Sequence, residues 1–175
     1  MNSPRYACPR LAVALSKGNM QLASWCWAAS GEMIMAALPG GYDPTQCEEA
    51  NHALGRSDCC SNGNACNYPG WPDFHYYGYH ADWTADGNIL YWDTLLNQIN
   101  HGYPVAFSWK WNGGGGHMMV AAGWEVVNGV GYVLEYDPWP VGQGTWAWIT
   151  YGDYDGGGDR GYTHYRDYYN IWSMQ

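Results

Sequence analysis

The chain has 175 residues, a length that suits one domain or two lobes sharing one site and that can bury a core without covalent help. Its formal net charge is −9, from 7 Lys+Arg against 16 Asp+Glu, which argues against a nucleic-acid backbone or an anionic membrane surface as partner. No stretch has the apolar length of a membrane span, and the short run Leu11 to Leu15 is too brief for a signal-peptide core, so a mature form with an added Met1 is expected.

The elements follow in order. Ser24 to Leu38 reads as a helix rich in Ala, Met, Ile and Leu, stopped by Pro39-Gly40-Gly41. Pro44 to Leu54 reads as a second, with Thr45 and Glu48 at the spacing of a capping box and Gly55 as its stop. Gly55 to Gly70 is a polar, cysteine-rich loop. Trp92 to His101 is a third helix, with Leu95, Leu96 and Ile99 on one side and Gly102 after it. The texture then changes. Pro104 to Trp111, His117 to Val127, Gly131 to Tyr136, Thr145 to Tyr151 and Tyr165 to Met174 read as strands, and Asn128-Gly129 is a hairpin turn. Helices first and strands second predict an α+β fold. The 12 Trp, 16 Tyr and 24 Gly suit aromatic strands divided by glycine turns.

Six cysteines are present: Cys8, Cys26, Cys47, Cys59, Cys60 and Cys66. Four of them fall between positions 47 and 66. A disulfide-stapled loop and a zinc site are both open readings, and zinc lacks the usual two-residue-spaced ligand pairs. With Cys26 as a free thiol, two bridges among the other five leave one cysteine over, and the pairing stays open. A bridged loop implies an oxidising compartment, hence a secreted, extracellular protein.

Cys26, in SWCWAAS, stands at the first turn of the first helix. Free amides and the positive end of the helix dipole there favour a thiolate. His117 follows four glycines and opens an apolar strand; glycine lets the backbone approach a thiol without side-chain obstruction. Asp137 ends the next strand before Pro138. Folding at Asn128-Gly129 brings that end beside His117, where a carboxylate can hold the imidazole in the useful tautomer. Gln21, five residues before Cys26, has an amide suited to a developing oxyanion. Each residue alone also fits a plain structural role: a core cysteine, a strand-capping histidine, an Asp-Pro turn, a solvated glutamine. The histidines at 52, 75, 80, 101 and 164 read as surface or packing residues.

Gln21 followed by Trp25-Cys26-Trp27-Ala28-Ala29 resembles the nucleophile segment of bacterial papain-like cysteine peptidases. These include effector proteases of plant pathogens and, more distantly, staphopains and bacteriocin leader peptidases. His117 before an apolar strand, then Asp137-Pro138, match that group in order. The resemblance spans about Gln21 to Leu38 and Leu95 to Trp139. It implies a Cys-His-Asp endopeptidase of papain fold acting through a thioester, with an N-terminal helical lobe (about 1–102) carrying Cys26 and a C-terminal antiparallel sheet lobe (about 103–175) carrying His117 and Asp137. Cys26, His117, Asp137 and Gln21 are its implied catalytic residues, with no metal or cofactor. In papain the glutamine stands one residue further from the cysteine, where this chain has Met20. The implied partner is a protein or peptide substrate, with the enzyme itself a monomer.

Three other readings remain. The same fold supports transglutaminase, deamidase and peptidoglycan amidase chemistry. An aromatic-rich, non-enzymatic binding module would leave Cys26 inert. Asp153, Asp155 and Asp159 on a glycine-rich turn offer oxygens to calcium, though without the twelve-residue loop pattern. Trp109, Trp111, Trp124 and Trp139 are expected to line the cleft, and Gly113 to Gly116 to form a flap over it.

Overall fold

The computed structural model describes residues 6–7 and 20–175; Cys8 and the run Leu11 to Leu15 lie outside the described residues. In chain order the elements are β1 (Tyr6–Ala7), α1 (Cys26–Ala37), α2 (Gln46–Leu54), a 3₁₀ turn (Gly63–Cys66), β2 (Tyr79–Trp83), α3 (Trp92–Asn100), β3 (Val105–Trp111), β4 (Gly116–Val127), β5 (Val130–Asp137), β6 (Thr145–Thr150), α4 (Tyr151–Asp155) and β7 (Tyr162–Ser173). The fold is therefore mixed helix and antiparallel sheet.

The helices end where local chemistry stops them. Leu38 turns extended ahead of Pro39, closing α1. The Thr45/Glu48 capping box opens α2, and Gly55 closes it in the left-handed region. By contrast, α1 has no side-chain cap and no acidic residue in its first turn. Every residue from Trp27 to Met35 is buried, so α1 is a central helix covered on all sides.

One antiparallel sheet runs in the order β2-β7-β3-β4-β5-β6, with β1 pairing the far end of β4 beyond the start of β3. Strand β4 is its spine. Six consecutive residues, Met118 to Gly123, are buried, which requires cover on both faces. Helix α1 packs on β4 and β3, and the Ser30 hydroxyl donates to the Met118 carbonyl at 3.1 Å. The Asn128-Gly129 turn has both residues at positive φ, as a two-residue hairpin requires, and joins β4 to β5.

Two strands from the N-terminal half, β1 and β2, join this sheet, so the chain is not simply helices followed by strands. The sequence Tyr79-His80-Ala81-Asp82-Trp83 lacks the β-branched run of a typical strand. It forms an edge, held by β7, with Tyr79 and Ala81 turned inward.

The cysteine-rich segment carries two disulfides, Cys47–Cys60 and Cys59–Cys66, leaving Cys26 as the free thiol among the described residues. These are bonds of an oxidising environment. Their sulfurs are consumed in the bridges, which removes the thiolates that the zinc reading needed. Among the described residues no helix is long and apolar enough to cross a membrane.

Candidate catalytic cleft

The cysteine-rich segment is fastened to the start of α1 by three hydrogen bonds. The Ser24 N–H donates to Asn67 Oδ1 at 2.9 Å, Trp25 Nε1 to the Cys66 carbonyl at 2.8 Å, and Trp27 Nε1 to the Tyr68 carbonyl at 3.2 Å. The two tryptophans flanking Cys26 thus act as pegs that fix the helix start against a disulfide-braced loop. Gly70 lies so close to Trp27 that a Cβ there would come within 2.7 Å of the indole, so only glycine fits. Cys26, the first residue of α1, is partly exposed, and the uncapped amides around it leave the dipole's positive end available to a thiolate.

His117 enters from β4. In the β4–β5 register Val120 faces Tyr136 and Ala121 faces Glu135, so His117 and Asp137 are diagonal neighbours on one face of the hairpin. His117 Nε2 lies 2.6 Å from Asp137 Oδ1, and the same oxygen accepts the Trp139 N–H at 2.8 Å. With Nε2 so engaged, Nδ1 is the ring nitrogen left for Cys26. Burial by itself would lower the ring's pKa. The hydrogen bonds and charges of Asp137, and then of Cys26, outweigh it and raise the imidazole from the ordinary 6.5 to about 10. The three sequence-expected residues Cys26, His117 and Asp137 therefore converge.

Gln21 lies in the bend before α1. Its side chain is exposed, its N–H donates to Gln46 Oε1 at 2.9 Å, and it is not among the residues lining the cleft. The bend is held next to the segment after Asp137: the Met20 N–H donates to the Pro138 carbonyl at 3.3 Å, and the Gly142 N–H to the Met20 carbonyl at 3.0 Å.

Cys26 and His117 open onto a cleft of about 420 Å³. Of the four tryptophans expected there, Trp109 lines it, opposite His117 in the β3–β4 pairing. Trp124 does not: it lies past the irregularity at Ala121/Gly123, meets Trp92 edge-on and donates to Asn100 Oδ1 at 2.9 Å. Trp111 and Trp139 are exposed outside the cleft. Trp27 and Trp71 take their places. Gly113 to Gly115 lie in the tight β3–β4 turn and Gly116 opens β4; Gly115 and Gly116 reach the cleft beside His117.

The acidic turn has a different use. Asp153 closes a capping box with Thr150 and pairs with Arg160 at 2.8 Å. Its oxygens do not converge with those of Asp155 and Asp159. His164 forms a second buried pair, Nε2 to Asp167 Oδ1 at 3.0 Å, with Tyr154 donating to the same oxygen at 2.6 Å. Among the described residues no free cysteine accompanies it, and its Nδ1 meets the Tyr154 carbonyl at 2.9 Å inside the core. Of the other histidines, His52 pairs with Asp73 at 2.9 Å and stacks on Tyr76, and His80 pairs with Asp82 at 3.3 Å.

Glu135 was missed in the sequence, where it reads as one polar residue of a strand. It is buried two residues from Asp137, and burial, then the Asp137 charge, push its carboxyl from the ordinary 4.5 up to about 7, with His117 opposing. The folded state then holds a proton that the unfolded chain releases. This contribution is complete below pH 4.5 and fades as pH rises to about 7. Glu135→Gln is expected to gain on the order of 2 kcal/mol relative to wild type at pH 8 and little at pH 4.5, read from denaturant midpoints at the two values. An equal change at both would refute it.

No family model and no curated protein matches the chain.

Proposed function

We propose that the protein is a papain-like cysteine peptidase with Cys26 as nucleophile, His117 as acid–base and Asp137 as the orienting carboxylate. The observation that carries this is one ring with two partners: His117 holds Asp137 through Nε2 at 2.6 Å and meets Cys26, at an uncapped helix start, on its other side. The two-disulfide scaffold fits a secreted enzyme.

In this reading Cys26 and His117 form a thiolate–imidazolium pair. The sulfur attacks the scissile carbonyl, and the Cys26 N–H holds the oxyanion. Gln21, which the resemblance casts as the second donor, has its side chain exposed outside the cleft lining and takes no part in this reading. His117 gives its proton to the leaving amine as the C–N bond breaks, leaving a thioester. It then takes a proton from water, whose oxygen attacks the thioester and frees the acid and the thiolate.

The test is the intact mass of the non-reduced protein before and after brief exposure to an epoxide inhibitor of papain-like enzymes, followed by incubation with casein. One adduct at Cys26 and loss of casein cleavage are expected. No adduct would favour the binding-module reading. An adduct without cleavage, but with product when a primary amine is added, would move the enzyme to acyl transfer.

A further inference from the structure

The described residues include four Lys or Arg side chains, and three are neutralised at carboxylates. Arg56 pairs with Asp58 at 2.7 Å, Arg160 with Asp153 at 2.8 Å, and Arg166 with Asp86. Lys110 is the exception. No carboxylate lies within ion-pair distance among the described residues, and its ammonium stands 5.9 Å above the Tyr165 ring, on the wall of the cleft that holds Cys26. Asp86 feels this charge, but its oxygens are occupied by Arg166 and by the Tyr165 hydroxyl at 2.6 Å.

The cleft wall itself carries no Asp or Glu, in a chain of net charge −9. The His117 imidazolium is balanced by Asp137 and by Cys26, so among the described residues Lys110 is the one charge on this wall without a partner of opposite sign. Beside Lys110 the wall is aromatic: Tyr165 stacks on Trp71 at 5.9 Å, and the Arg166 guanidinium covers Trp71 at 4.7 Å. That ladder joins the loop after the disulfides to β7 and holds Trp71 as a firm apolar face.

We propose that the cleft selects peptides that set an acidic side chain against Lys110 next to an apolar or aromatic side chain on Trp71, an inference that rests on the peptidase reading. The acidic group supplies the counter-ion that Lys110 lacks. A basic side chain finds no partner there and meets the Lys110 charge, so the same feature disfavours Lys and Arg.

The experiment uses end-blocked octapeptide mixtures in which one position at a time is fixed as Asp, Asn or Lys. Retention on immobilised Cys26→Ala protein reads binding without turnover; cleavage by wild type reads selection. At one position next to an apolar residue, Asp is expected to exceed Asn by about fivefold, the upper range for a solvent-facing ion pair, and to exceed Lys by more. The preference should shrink with added salt, persist in K110R and reverse in K110E. Equal retention of the three mixtures at every position, or an Asp preference that K110E leaves intact, would overturn the inference. Lys110 is exposed, so these variants keep the core, and near-ultraviolet circular dichroism checks this. Because retention does not need catalysis, failure of the peptidase reading shows separately, as absent epoxide labelling of Cys26.

Discussion

Cys26→Ala is expected to remove turnover, by about 10⁴-fold or more, leaving only what the cleft achieves by binding alone. The size follows from the chemistry: without the sulfur there is no thioester and no second step. The variant is also a clean one. Ala is the best helix former, and position 26 opens a helix whose buried run begins one residue later. Its thermal midpoint should match wild type, so lost activity reads as lost chemistry. The measurement is kcat/KM on a casein-derived peptide that wild type cleaves. A variant retaining a tenth of wild-type activity would end the proposed role of Cys26.

The second large effect is at Asp137. Its carboxylate holds Nε2 of a ring lifted to about 10, and its hydrogen bond is the largest of the favourable contributions. Removing the charge lowers the ring's affinity for a proton. The alkaline limb of activity, which reports loss of the imidazolium, should therefore move from near 10 toward 6.5 in Asp137→Asn. Activity at neutral pH should fall by roughly a hundredfold, less than in Cys26→Ala, since the ring loses its orientation but remains. Asn is chosen over Ala because it keeps an oxygen for the Trp139 N–H, preserving the turn. The same ring contributes stability that is complete below pH 6.5 and is lost as pH rises through about 10, so wild type should lose more stability than Asp137→Asn across that window. An unshifted alkaline limb with near-wild-type activity would remove Asp137 from the mechanism.

Much of this arrangement was legible in the chain because it rests on local signals. The Thr45/Glu48 box, Gly55 and Pro39 mark helix ends through backbone chemistry within a few residues. The Asn128-Gly129 turn fixes the β4–β5 register and so places Asp137 near His117 from sequence spacing alone. The rest is non-local. Nothing in Tyr79 to Trp83 announces a strand; β7, drawn from the other end of the chain, makes it one. Five cysteines do not choose their own partners, and the bridges depend on how α2 and the 3₁₀ turn meet. Trp71 joins the cleft through Tyr165, 94 positions away in the chain, whereas Trp124 turns toward α3 because of an irregularity in β4. Glu135 looks like any polar strand residue until both neighbouring strands cover it.

The pegs from Trp25 and Trp27 into the disulfide-braced loop set a redox window on the molecule. Cys26 works only as a reduced sulfur, while the loop that positions it depends on oxidised ones, and the Trp25 peg ends on the carbonyl of a bridged cysteine, Cys66. Cys59 and Cys66 are buried, but Cys60 is exposed, so a reductant added to wake the thiol meets the Cys47–Cys60 bridge first. Raising the thiol concentration should thus end in lost activity, at a point set by the bridges of the loop rather than by the chemistry of the cleft.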